Sequence, residues 1–261
     1  MTNKLLLLIG VIFFLSCDFT PPLNKEILQA QKHIIDRDYL AATKKYKEIL
    51  KKNPPIEIQV KVNYQLGDLY SIYLSDNRES LKYYKKIMSI SSKPLWLVKT
   101  QERIAEIYFS YIKDFEKSAN IYKKLSSFKP KLTKQDFYSY RYAISIFNRS
   151  FYNQAKDLFT DISNNKLNEY YDRSFYYLGL INFQKKDYLK AIENWKSYIK
   201  EETRRDNIIQ AKFLMANAYE TMEELKIAYN LYYSILGEYP NTSVIKNRLK
   251  GIYERRVARK R

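Results

Sequence analysis

The chain of 261 residues contains one cysteine, one histidine, five glycines and seven prolines. Each shortage excludes something. A single thiol closes no internal disulfide, and Cys17 with His33 alone makes no zinc site. There is no Gly-rich loop to cradle a phosphate, and neither HExxH nor GxSxG occurs. Glu201-Glu202 and Glu223-Glu224 read as ordinary helix-end or turn charges, and His33 as a solvated or packed imidazole. Catalysis needs convergent groups in a pocket, so no enzyme, cofactor or metal site is expected. Acidic residues are scarce as well: 28 Asp and Glu stand against 46 Lys and Arg, a formal charge of +18. That balance suits nucleic acid, anionic lipid or acidic protein. No aromatic RNP segment or zinc finger supports the first, so nucleic acid is not an expected partner. The excess lysine reads as spread over solvated helix faces.

Long hydrophobic runs are absent with one exception. Leu5 to Leu15 is apolar apart from Gly10, with Lys4 before it and Ser16 directly ahead of Cys17. A charged start, an apolar middle and a small residue at the cut are the layout of a secretory signal. The run is too short for a comfortable bilayer span, which needs roughly 20 residues. Phe14-Leu15-Ser16-Cys17 resembles the lipobox of bacterial lipoproteins and departs from the common pattern at Phe14. The resemblance implies removal of residues 1–16, a diacylglyceryl thioether on Cys17 and an acylated new amino terminus. An incidental or buried Cys17 behind an uncleaved anchor is the alternative. Residues 17–23 include Asp18-Phe19-Thr20-Pro21-Pro22 and read as a short, stiff tether. The expected location is the bacterial cell envelope, membrane-anchored through this lipid, on a periplasmic or surface face.

Apolar material is abundant. Hydrophobic residues make up 46% and aromatic residues 16%, with 26 tyrosines, which is too much for a disordered chain. Helical spacing dominates and no alternating strand pattern stands out, so the class is all-α. The chain also repeats itself. RDYLAATKKYKEIL, KDFEKSANIYKKL, SFYNQAKDLFTDI, KDYLKAIENWKSYI and ELKIAYNLYYSIL align, with RESLKYYKKIM as a weaker copy. Their small residues are Ala42, Ser80, Ser118, Ala155, Ala191 and Ala228, at spacings of 38, 38, 37, 36 and 37. Four residues after each stands Tyr46, Tyr84, Tyr122, Phe159, Trp195 or Tyr232. Upstream of most copies a second helical pattern has its own small residue: Gly67, Ala105, Ala143, Gly179, Ala216. Two antiparallel helices cannot hide both apolar faces alone, so neighbouring pairs must stack. The small residues permit close backbone approach, and the rings are expected to fill the space between adjacent pairs. Pro54, Pro130 and Pro240 are expected to mark the ends of second helices.

This pattern resembles the tetratricopeptide repeat (TPR), with Leu66-Gly67 and Leu178-Gly179, helix-end Tyr70, Tyr108 and Tyr219, and the series of small residue, ring and proline. The resemblance implies an α-solenoid of about six repeats over residues 24–242 and a basic capping helix over 243–261. SILGEYPNTSVIKNRLKGIY is similar to the repeat junction of BamD-like outer-membrane assembly lipoproteins and their TolA-binding relatives.

In such arrays the first helix of each pair lines a concave groove. Carried onto this chain, the groove positions include Tyr64, Lys99, Phe109, Tyr140, Phe147, Arg173, Tyr176, Phe183, Gln210, Phe213 and Asn217, with Arg141 flanking them. Large rings at positions that a lone repeat would expose suit an extended or helical protein segment. They could equally pack on neighbouring helices, and stacked rings also suit a cell-wall glycan. The family's carboxylate clamp needs Lys and Asn where this chain has Tyr64, Asp68, Glu102, Glu106 and Tyr140, so that activity is not expected. In the last segment Ile245, Leu249 and Ile252 form an apolar stripe. Arg255, Arg256, Arg259, Lys260 and Arg261 offer either a polar cap or a dock for an acidic partner or anionic head groups.

Overall fold

The computed structural model describes residues 22–259. The leader, Cys17, the tether up to Pro21, and Lys260 and Arg261 lie outside the described residues. Thirteen α-helices and no strand occur among the described residues, and none of these helices is long and apolar enough to cross a membrane.

The chain divides into two compact units at Ser91–Ser92. The first holds α1 (Pro22–Ile35), α2 (Tyr39–Lys51), α3 (Ile56–Asp68) and α4 (Asn77–Ile90), with a π-helical stretch, Leu69–Tyr73, continuing α3. The second opens with α5 (Pro94–Glu106), continued by a π-helical stretch over Ile107–Ile112. It goes on through α6 (Phe115–Ser126), α7 (Gln135–Asn148), α8 (Tyr152–Ser163), α9 (Tyr171–Gln184) and α10 (Tyr188–Glu201). It ends with α11 (Arg205–Thr221), α12 (Leu225–Ser234) and α13 (Thr242–Ala258). Within each unit every helix packs on its neighbour in sequence, giving two helical hairpins in the first unit, and four with a closing helix in the second. Helix α1 starts inside the segment read as tether. Pro22 fits a first helical turn, because its missing N–H would have had no partner there.

The repeat signature is the core. Ala42, Ser80, Ser118, Ala155, Ala191 and Ala228 are all fully buried, and so are the rings of Tyr46, Tyr84, Tyr122, Phe159, Trp195 and Tyr232. The rings do not chiefly fill the space between pairs, as the sequence reading had it. Each glycine of the signature lies under the ring of its own hairpin. A Cβ on Gly67 would stand 2.4 Å from the Tyr84 ring, and one on Gly179 would stand 2.3 Å from the Trp195 indole. Tyr122 does also meet the next hairpin, edge-on to Phe137 and stacked with Tyr138. Buried serines are satisfied locally: the Ser80 hydroxyl donates to the Gly67 carbonyl at 2.8 Å, and Ser118 meets Ser145 at 3.1 Å.

The turns within hairpins share one device. The residue before each second helix region is left-handed and is never glycine: Arg37, Ser75, Lys113, Ser150, Lys186 and Glu223, with φ between 55° and 62°. In four of these turns an aspartate follows and caps the helix. Asp38, Asp76, Asp114 and Asp187 accept from backbone N–H groups of the first turn. The repeat spacing also has a local cause. The two intervals of 38, Ala42 to Ser80 and Ser80 to Ser118, are the ones that contain the π-helical stretches. A π turn takes one additional residue into a helix without ending it.

Candidate functional site: a tyrosine-lined cavity on the first-helix face

In the second unit α7, α9 and α11 are first helices of consecutive hairpins, and between them lies a cavity of about 310 Å³. Its walls are Tyr140, Arg173, Tyr176, Tyr177, Tyr198, Arg204, Asn207 and Gln210. Tyr140 is held by stacking on Tyr170, with ring centres 4.4 Å apart, and meets Tyr177 and Phe159 edge-on. Tyr177 in turn stacks flat on Phe159 at 4.8 Å. Tyr176 leans on Tyr177 and Tyr198. Burial pushes the phenols of Tyr140, Tyr176, Tyr177 and Tyr198 above their ordinary pKa, so they stay neutral hydrogen-bonding groups.

One rim is built on Glu202. Its carboxylate accepts from Nε and Nη2 of Arg204 at 3.0 and 2.8 Å, from the Tyr198 hydroxyl at 2.6 Å and from the Asn207 amide at 2.7 Å. The Arg204 bonds, ahead of those from Tyr198 and Asn207, hold the carboxyl well below the usual carboxylate range. Glu202 is therefore not an ordinary turn charge: its side chain is nearly buried and fixes three cavity residues at once. Arg173 on the other wall is exposed; it lies over the Tyr170 ring at 5.5 Å and has no ion pair among the described residues.

Four of the groove residues named from sequence, Tyr140, Arg173, Tyr176 and Gln210, thus share one cavity. The others are elsewhere. Phe183 and Asn217 line a second hollow of about 460 Å³ with Glu220, Arg248 and Arg255. Phe109 is covered by the Arg141 guanidinium at 4.2 Å, and Arg141 is paired with Glu106. Phe147 packs on Tyr152 and Tyr177, and Phe213 on Tyr232 and Tyr239. Lys99 is exposed over Trp96. Tyr64 belongs to the first unit, where it is edge-on to Tyr84. The rings expected to be displayed are half-buried, because most pack against neighbouring helices.

The polar groove positions also have a structural explanation. The Tyr84 hydroxyl donates to Asp68 at 2.5 Å, Tyr122 to Glu106 at 3.0 Å and Tyr232 to Asn217 at 2.6 Å. Where the core ring lacks a hydroxyl, as in Phe159 and Trp195, the matching position is apolar: Ile144 and Leu180. In these five hairpins the first-helix residue is matched to what its ring needs, since a buried hydroxyl favours a partner; in the first hairpin the buried Tyr46 hydroxyl has no hydrogen-bond partner among the described residues.

The basic tail is largely engaged within the chain. Arg255 donates to Glu220 at 2.9 Å and to Glu223 at 3.3 Å, and Arg259 donates to Glu223 at 2.6 Å. Arg256 lies over Tyr229. Glu223, like Glu202, is thus more than a loose turn charge. Sequence reasoning missed Tyr177, Tyr198, Arg204 and Asn207 as cavity residues. A local signal was present, since Tyr198, Glu202, Arg204 and Asn207 lie within ten residues spanning one helix end, a turn and the next helix start.

No protein-family model matches the chain, and no curated protein matches it. Solved structures do. The chain is similar to the apo form of the quorum sensor NprR from B. thuringiensis, with a TM-score of 0.60 and 16% identity over 88% of this chain and 68% of that one. It is similar to the apo form of RapI, with a TM-score of 0.58 and 12% identity over 91% and 87%. It is also similar to PilW, a widely conserved type IV pilus biogenesis factor, with a TM-score of 0.57 and 13% identity over 88% and 98%. The chain has the tetratricopeptide-repeat fold. These likenesses do not bear on the narrower resemblance to BamD-like lipoproteins.

Proposed function

We propose that this protein is a non-enzymatic scaffold, held to a bacterial envelope membrane by lipid on Cys17, whose first-helix face grips a segment of a protein partner. The observation that carries the reading is the cavity between α7, α9 and α11: neutral tyrosines, two amides, and the exposed guanidinium of Arg173 over the Tyr170 ring. Rings give large contact area at low entropy cost, and a cation beside them orients an incoming carboxylate or carbonyl. A protein segment of acidic or mixed character fits a lining that offers a cation and amide groups. Similarity of fold to a type IV pilus biogenesis factor and to a quorum sensor supports the reading of an interaction scaffold. Cys17 supplies confinement: several acyl chains, at roughly 0.8 kcal/mol per buried methylene, hold a protein at a membrane.

A photo-crosslinking residue at Gln210 in intact cells tests the groove. A discrete protein adduct is expected, reduced at least tenfold by Arg173→Glu and absent from the same probe at the exposed Lys196 on α10. Equal adducts from Lys196, or binding to cell-wall sacculi with no protein adduct, would overturn it. Labelling with a palmitate analogue tests the anchor: label and membrane retention in the wild type, and loss of both in Cys17→Ala.

A further inference from the structure

Most exposed large hydrophobics among the described residues lie beside hairpin turns, while Leu28, Ile56, Leu95, Leu167, Tyr233 and Tyr253 lie elsewhere. In every hairpin at least one lies within four residues of the left-handed turn residue: Ile35 and Leu40, Ile72 and Tyr73, Tyr111 and Ile112, Phe151, Leu189, and Ile227. Single exposed apolar residues need no explanation, but their recurrence beside every hairpin turn does, although the offset from the turn residue varies from −3 to +4. Because consecutive hairpins pack side by side, their tips in the second unit form one edge. Lys185 at one tip donates to Asn153 beside the previous one at 2.7 Å, and Arg255 and Arg259 bring the end of α13 to the last tip through Glu223.

The same edge is cationic. Lys113, Arg149, Lys185, Lys186 and Lys226 stand at the tips, and Arg149 lies over the Phe151 ring at 4.6 Å. The acids there are mostly engaged: Asp114 with Lys117, Asp187 with Lys190, and Glu223 with Arg255 and Arg259, leaving Glu116 and Glu224. Rings and leucines flanked by basic side chains suit a bilayer interface, where the apolar tip enters the acyl boundary and the cation stays at the phosphates.

We infer that the hairpin-tip edge of the second unit is a docking surface for anionic phospholipid. Duplex nucleic acid would use the charges but has no place for an aliphatic side chain such as Leu189, which is 63% exposed. The edge acts independently of the groove and of acylation, so the experiment uses the full chain with Cys17→Ser. The leader then contributes equally to every variant. Binding is measured to vesicles of phosphatidylcholine alone and to vesicles mixed with phosphatidylglycerol. At least about tenfold tighter binding to the mixed vesicles is expected, because several basic groups stand together on this edge and each is attracted to an anionic surface. Arg149→Glu/Lys185→Glu/Lys186→Glu should abolish that preference, and Tyr111→Ser/Phe151→Ser/Leu189→Ser should weaken binding at least tenfold, with helical circular dichroism unchanged. Phe151→Trp should shift to the blue on mixed vesicles and be quenched by brominated lipid. Leu167→Trp, on the turn at the opposite end of α8, should do neither. Equal binding by wild type and both triple variants, equal quenching at the two tryptophans, or binding to duplex DNA with none to vesicles would overturn the inference.

Discussion

The repeat is enforced at the scale of single residues by pairs in which one member is small because the other is large. Gly179 shows this best. Alanine is ordinarily favoured over glycine in a helix by about 1 kcal/mol. Here the added methyl would meet the fully buried Trp195 indole at 2.3 Å, and Gly67 faces the Tyr84 ring in the same way. Overpacking of a tight core costs about 1–3 kcal/mol and outweighs the propensity gain. Gly179→Ala and Gly67→Ala should therefore each lower the urea midpoint, despite being helix-favouring changes. Alanine at Gly251, where a Cβ meets nothing within 4 Å, should leave it unchanged or raise it. These pairs were legible in the sequence, because a small residue and a ring at fixed offsets recur six times. What each ring leans on was not legible. The offset gives the phase of two helices but not which of two neighbours a side chain turns toward, so the rings were assigned between pairs instead of within them.

At the scale of elements, each hairpin turn carries a backbone cost that a cap partly offsets. A left-handed conformation costs a non-glycine residue about 1–2 kcal/mol, and this protein accepts it at Lys186 and five equivalent positions. Lys186→Gly should stabilise the second unit by about 0.5–1 kcal/mol, less the entropy glycine adds to the unfolded chain. Asp187→Ala should cost about 0.5–2 kcal/mol by leaving the Lys190 N–H without its acceptor. Thermal denaturation reads both, and opposite signs at adjacent residues are the expected signature. The aligned RD and KD pairs were visible in the sequence, but with only five glycines the usual marker of such a turn was missing. The cavity was harder to read. Tyr140, Arg173 and Tyr176 follow from their repeat positions. Glu202 and Arg204 sit in a connecting turn, where periodicity carries no information and only the folded backbone brings them to Tyr198 and Asn207.

Across the whole molecule, the cores of both units are unusually phenolic. Tyr46 in the first unit is raised to about 12 by burial, and Tyr122, Tyr138 and Tyr232 in the second are also raised, first by burial and then by neighbouring carboxylates. A phenol raised in the folded state binds its proton more tightly than in the unfolded chain. The stability it contributes is complete below the ordinary value near 10 and is lost as pH rises from there toward the folded value. Alkaline unfolding is therefore expected above about pH 10, within the window between the ordinary phenol and Tyr46. The phenolate absorbance of the core rings should appear only together with loss of helical circular dichroism. A single smooth titration with the helices intact would contradict this. That the array is α-helical, and how many hairpins it has, could be read from period and composition. Its division at Ser91–Ser92 could not, since the repeat runs through that point with an unchanged interval of 38.

The π-helical stretches after α3 and α5 show that a hairpin here can gain a residue and still pack its two helices together. Length is thus loosely held in these hairpins, while the pairing of small residue and ring is kept. A standard 34-residue template laid along the chain falls out of step by about two to four residues with every copy. The likeness of fold therefore lies in the stacking of rings over small residues, where a fixed-length comparison of letters does not find it.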